Sequence, residues 1–153
     1  MSNEETGSPT AGQSPCSAQE AGQFDFWLGQ WEGTWGEDGR GTNRIAKTMG
    51  GCVVEEQFDG GAFKGMSVSV YDERQGCWKQ TWVDNAGGYL DFAGGMEGDR
   101  MVLSRQAEID GQVVQQRMVW YGIEADRFEW HWERSDDGQS WQVLWHIHYR
   151  RMD

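Results

Sequence analysis

All three histidines of the chain, His131, His146 and His148, fall between residues 126 and 150, where two aromatic-rich runs flank an Asp137-Gly138 turn. A two-residue turn predicts a hairpin with Glu129 opposite His146, His131 opposite Leu144 and Trp130 opposite Trp145. One face then carries Phe128, Trp130, Trp132, Val143, Trp145 and Ile147, and the other Glu129, His131, Glu133, Gln142, Leu144, His146 and His148. Imidazoles and carboxylates at this spacing suit a metal such as zinc or an acid–base pair. The inward face decides whether they serve a cavity. A band of large apolar side chains is unusual on the exposed surface of a monomer, so the Trp face is read as inward and the His face as a solvated polar surface. In the alternative, the Trp face is a homodimer interface and the His/Glu face lines the cavity. A one-residue slip in register would scramble these pairs.

The segment 77–95 has a second set of side chains suited to a ligand. With Asn85-Ala86-Gly87-Gly88 as the turn, Asp84 is expected opposite Tyr89 and Trp82 opposite Asp91, so Trp78, Gln80, Trp82, Asp84, Tyr89 and Asp91 share a face. Flat aromatic surfaces with a few orienting polar groups are what a small-molecule pocket uses. A solvated face of cross-strand aromatic pairs fits the pattern equally well. Thr81, Val83, Leu90 and Phe92 fall on the opposite face, interrupted by Lys79. Arg117 lies mid-strand among Met118, Val119 and Trp120; if inward, it needs Asp84, Asp91 or a ligand carboxylate as partner.

The elements that must position these groups are legible from the turns. Ten strands are expected, at about 31–37, 41–49, 52–59, 63–72, 77–84, 88–95, 100–109, 112–121, 126–135 and 139–150, separated by short Gly- and Asp-rich connections. Such connections leave no room for crossover helices, so neighbours pair antiparallel and the sheet closes into an up-and-down barrel. A two-sheet sandwich would need longer connections. Ahead of the strands, Phe24, Trp27 and Leu28 at helical spacing, ended by Gly29, read as a turn plugging one barrel mouth. The fold class is therefore all-β, a ten-stranded antiparallel up-and-down barrel with an N-terminal helical plug. Residues 1–22 are polar and read as a disordered tail, and 23–153 as the barrel domain.

Composition narrows the partners. Apolar residues make up only 37 %, but ten Trp, six Phe and four Tyr supply a core, because each ring buries a large area. A net charge of −12 argues against nucleic acid and against anionic membranes. No apolar run is long enough to span a bilayer and no signal peptide is visible, so a cytoplasmic location is expected. Of the three cysteines, Cys16 lies in the tail, while Cys52 and Cys77 are read as reduced packing residues. No P-loop, G-x-S-x-G or other nucleophile grammar is present.

Three segments together, F-D-F-W-L-G-Q-W-E-G (24–33), W-V-D-N-A-G-G-Y-L (82–90) and W-E-R-S-D-D-G-Q-S-W (132–141) with W-H-I-H-Y-R-R (145–151), resemble the calycin superfamily. That superfamily includes lipocalins, fatty-acid-binding proteins and nitrobindins, and the chain is similar to a bacterial lipocalin-like family of unknown function. The resemblance covers about residues 24–151 and implies a small barrel with an internal ligand cavity. Read from the residues themselves, the Gly29-Gln30-Trp31 indole can close the barrel floor with Arg150 or Arg151 stacked on it as a cation, or it is an ordinary core Trp. Nitrobindins hold haem through a His five residues before a Tyr that precedes two basic residues. Tyr149-Arg150-Arg151 matches that ending, but the ligand position holds Leu144.

The resulting expectation is a binding barrel for a small hydrophobic or aromatic ligand, largely apolar or planar. Its ligand-binding residues are drawn from Trp78, Gln80, Trp82, Asp84, Tyr89, Asp91, Arg117, His131, His146 and His148, with no metal ligand and no cofactor assigned. Two alternatives use the same cavity. One is a cofactor-independent isomerase, cyclase or hydratase with His131 or His146 as base, Glu129 or Asp84 orienting and Arg117 stabilising an anion. The other is a zinc or haem barrel ligated through His131, His146 and His148.

Overall fold

The computed structural model describes residues 14–152. Ten strands follow in chain order: β1 (Gly29–Trp35), β2 (Gly39–Thr48), β3 (Val53–Asp59), β4 (Lys64–Asp72), β5 (Cys77–Asp84), β6 (Tyr89–Glu97), β7 (Arg100–Ile109), β8 (Gln112–Tyr121), β9 (Arg127–Ser135) and β10 (Gln142–Arg151). Each pairs antiparallel with its successor, and β1 closes on β10 from Trp31↔Arg151 to Thr34↔His148. Closure satisfies the backbone groups that an edge strand would expose. The ten-stranded, antiparallel, closed barrel expected from the turns is the fold observed. The tight connections explain the simple topology: Asp110 (φ 53°) and Gly111 (φ 78°) form a two-residue turn with both φ positive, the hairpin turn whose twist matches its strands.

Alternation along the strands fills the interior with rings. At one end Phe24 and Trp27, the residue before a 3-10 turn at Asp25–Trp27 and its last residue, are fully buried. Phe24 meets Trp78 and Trp120 edge-on at 4.9 and 5.1 Å, and Trp31 meets Phe128 at 4.7 Å. Edge-to-face contacts of this kind add to the stabilisation from burial. The Arg151 guanidinium lies 4.2 Å over the Trp31 ring and donates from Nη1 to the Leu28 carbonyl, so the expected cation over the G-x-W indole is Arg151.

The start of the chain departs from expectation. Residues 1–13 of the expected disordered tail lie outside the described residues. Residues 14–22, however, run against the plugged end, with a 3-10 turn at Gln19–Gly22 and a Cys16–Cys52 disulfide whose Cα atoms are 5.3 Å apart. Cys52 is therefore not a reduced packing residue; Cys77 is the free thiol among the described residues. Composition reports whether a segment can bury a core of its own, not whether it is tied to one.

Two register findings decide what faces inward. In the β9–β10 hairpin the pairs are His131↔His146, Trp130↔Ile147 and Glu129↔His148, two residues from the expected register, with a bulge between Val143 and Trp145. An even shift preserves the faces, so Phe128, Trp130, Trp132, Trp145 and Ile147 point inward as read, and the Trp face is not available as a dimer interface. In the β5–β6 hairpin the pairs are Val83↔Tyr89, Trp82↔Leu90 and Thr81↔Asp91, one residue from the expected register. The odd shift turns β6 over relative to β5, placing Leu90 and Phe92 inside and Tyr89 and Asp91 outside.

Candidate functional site

Above the aromatic floor the barrel encloses a cavity of about 280 Å³. Its wall is built by alternate residues of facing strands: Phe58 on β3, Trp82 on β5, Leu90 and Phe92 on β6, Met118 and Trp120 on β8, Trp130 and Trp132 on β9, Trp145 on β10. The rings brace one another, Trp145 meeting Trp35, Phe58 and Trp130 nearly perpendicularly at 5.3–5.8 Å. Trp82 is fixed by its indole N–H, which donates to Asp84 Oδ2 at 2.8 Å. Burial pulls the Asp84 carboxyl up, but the Trp82 hydrogen bond and those from the Gly88 and Ala86 N–H groups outweigh it and hold the group below its ordinary value.

One polar patch interrupts this wall. Glu56 is buried, accepting from Ser67 Oγ at 2.7 Å and from Asn43 Nδ2 at 2.8 Å. Burial pushes its carboxyl above the ordinary value, and the two hydrogen bonds offset only part of that. Tyr149, stacked on Phe128 at 4.9 Å, receives a longer bond of 3.4 Å from Asn43 Nδ2 and keeps its own hydrogen to donate. Burial, with the nearby Glu56 charge, raises the phenol well above its ordinary value, so it stays neutral. Three buried polar atoms on residues lining the cavity have no protein partner: Asn43 Oδ1, Trp120 Nε1 and Trp27 Nε1. Buried polar groups left unpaired are costly, and these three lie on residues that surround the cavity. Its lining carries two carboxyls, Glu56 and Asp84, and no Lys, Arg or His among the described residues.

The residues expected from sequence to bind a ligand separate into three groups. Trp82 and Asp84 line the cavity. Trp78 and Gln80 point inward but belong to the packing, Trp78 donating to Gln23 Oε1 at 3.1 Å and Gln80 to Ser69 Oγ at 2.9 Å. Tyr89, Asp91, Arg117, His131, His146 and His148 stand on the outer face. Arg117 pairs there with Glu133 at 2.7 Å and lies 3.8 Å over the Trp141 ring, so it has no part in holding a ligand carboxylate inside. With every imidazole outside, the isomerase-type alternative loses its candidate bases. Haem in the barrel would likewise meet no imidazole: the family's ligand position, Leu144, lies at the β10 bulge and is half exposed. The residues present do not fit a haem held in that way.

Sequence reading did not single out Asn43, Glu56 and Tyr149. One signal was available: Val54, Glu56 and Phe58 alternate on β3, and a lone carboxylate on an apolar parity marks a functional or strained position.

No protein-family model matches the chain, and no curated protein matches it. What the fold and the site define is a class: a closed, ten-stranded antiparallel barrel, plugged at one end, with an aromatic cavity around a buried Asn–Glu–Tyr patch.

Proposed function

We propose that the protein binds a small, planar, largely apolar molecule that is uncharged or cationic, with its polar atom at Asn43 and Tyr149. The observation that carries this reading is the aromatic cavity with unpaired buried polar atoms on Asn43, Trp27 and Trp120. A cavity of about 150 Å³ takes one benzene ring, so about 280 Å³ suits a body of two fused rings. With no cation in the lining among the described residues, a carboxylate guest is disfavoured, because a buried unpaired charge is expensive. Glu56 and Asp84 instead tolerate a positive charge, and indole faces attract one. In this respect the chain departs from the fatty-acid-binding members of the calycin superfamily, to which we assign its barrel on the segments 24–33, 82–90 and 132–151.

A panel of planar aromatics titrated against tryptophan fluorescence tests the reading. Saturable one-to-one quenching is expected with neutral and cationic members, and its loss on filling the cavity by Met118→Trp. No saturable quenching by any member would overturn it. No helix among the described residues is long and apolar enough to cross a membrane. On compartment, the Cys16–Cys52 bridge favours an oxidising environment over the cytoplasm expected from sequence.

A further inference from the structure

The outer face of the β9–β10 hairpin carries an arrangement that the cavity does not explain. Its register sets His131 beside His146 and Glu129 beside His148, so the three imidazoles and one carboxylate occupy adjacent positions on two strands. His146 Nε2 and His148 Nδ1 both turn onto the same oxygen, Glu129 Oε1, at 2.7 and 2.6 Å. These three atoms lie within 4.8 Å of one another. Zinc bound at 2.0–2.2 Å to nitrogen and oxygen places its ligands about 3.4 Å apart in a tetrahedron. Reaching that spacing requires side-chain adjustments on the order of 1 Å, with no change of strand register.

The surroundings hold the cluster in place. His131 Nδ1 is 2.8 Å from Glu133 Oε2, whose other oxygen receives Arg117 Nε at 2.7 Å. The Tyr121 hydroxyl sits between His131 Nε2 at 3.0 Å and His146 Nε2 at 3.4 Å. The Tyr121 contact falls on the His146 nitrogen that faces Glu129, so metal binding replaces it, while the Arg117–Glu133–His131 chain fixes the adjoining part of the strand face.

We propose that Glu129, His146 and His148 form a binding site for a divalent transition metal of the zinc class on the outside of the barrel. Two imidazoles and one carboxylate select zinc, copper or nickel over calcium or magnesium, which prefer all-oxygen sets. Three protein ligands leave a fourth position for water. His148 is the most exposed of the three, so the metal exchanges with solvent without opening the barrel. The site is independent of the ligand cavity.

The test titrates Zn²⁺ alone, in competition with a chromophoric chelator, into the full chain carrying Cys77→Ser to remove the free thiol. One equivalent bound at micromolar affinity is expected. Glu129→Gln, His146→Ala and His148→Ala should each weaken it by about 10-fold or more, with far-UV circular dichroism unchanged. Asp91→Asn, an exposed carboxylate on β6, should leave it unaltered, and His131→Ala, whose hydrogen bonds go to Tyr121 and Glu133 rather than to a ligand, should weaken it less than any of these three. Several results would overturn the assignment: no binding in the micromolar range, affinity retained in the His146→Ala/His148→Ala variant, or abolition by His131→Ala alone. The first would leave the cluster a hydrogen-bonded imidazole–carboxylate group.

Discussion

Gly65 exists so that Trp82 can form a cavity wall, and replacing it should show this quantitatively. A Cβ built on Gly65 falls against the six-membered ring of Trp82, with Cε2 still only 2.9 Å away. In Gly65→Ala the indole must swing off the β4 backbone, breaking the 2.8 Å bond to Asp84 Oδ2. Loss of a hydrogen bond to a charged acceptor, plus an overpacked contact that relaxes only in part, gives a destabilisation of about 2–4 kcal/mol. Chemical denaturation of Gly65→Ala, Trp82→Ala and the double variant measures it as a cycle. With the ring gone the alanine has space, and a strand alanine costs less conformational entropy than glycine, so its effect in the Trp82→Ala background should be near zero or slightly stabilising. The coupling is then most of the single-variant effect. A Gly65→Ala cost that persists undiminished without the ring would refute the argument, placing the strain in the backbone.

Glu56→Gln should remove a pH-dependent penalty. The wild-type carboxyl is raised above its ordinary value of 4.5, so the folded state holds the proton longer than the unfolded one. Wild-type stability should therefore fall as pH rises from 4.5 through the folded value, by about 1.4 kcal/mol per unit of difference. Glu56→Gln should lack that slope, because the carboxamide has no proton to titrate; identical slopes in denaturant titrations between pH 4 and 8 would contradict this. Asp59 and Asp137 act in the opposite window, being held low by Lys64 and by backbone N–H groups respectively. Their contribution is complete above 3.8 and is lost as pH falls through their folded values, which keeps them from mimicking the Glu56 signal. Arg151→Ala removes the cation over Trp31 and the donors to the Leu28 and Ala125 carbonyls, and should cost about 1–2 kcal/mol in thermal or chemical unfolding, with Arg151→Lys recovering less than half. Cys16→Ser, or reduction of the wild type, opens a link spanning 36 positions, for which chain entropy gives up to roughly 4 kcal/mol; an unfolding midpoint unmoved by reductant would contradict the bridge.

The architecture was legible in the sequence because each turn carries its own chemistry, and most strand limits fall within two residues of those expected. Facing was legible only where errors were even. The β9–β10 hairpin slipped by two and kept its Trp face inward, while β5–β6 slipped by one and sent Tyr89 and Asp91 outside. Residue type misled at Arg117, and it kept the histidines in the ligand set although the hairpin pattern had already turned their face outward; on the outer surface these side chains pair with Glu133 and Glu129. The polar patch at Asn43, Glu56 and Tyr149 is assembled from β2, β3 and β10, with 106 positions between Asn43 and Tyr149. No local pattern links them; only closure of the barrel does. The Cys16–Cys52 bond is hidden for the same reason.

The most direct test of the cavity reading is calorimetric titration of the full chain at pH 7 with 2-naphthol and, separately, with 2-naphthoate, two-ring molecules that differ in charge. Saturable one-to-one binding of the neutral alcohol, weakened by Asn43→Leu, with at least a tenfold preference over the carboxylate, is the result the polar lining predicts. Equal or tighter binding of the carboxylate, or no heat from either, would contradict it.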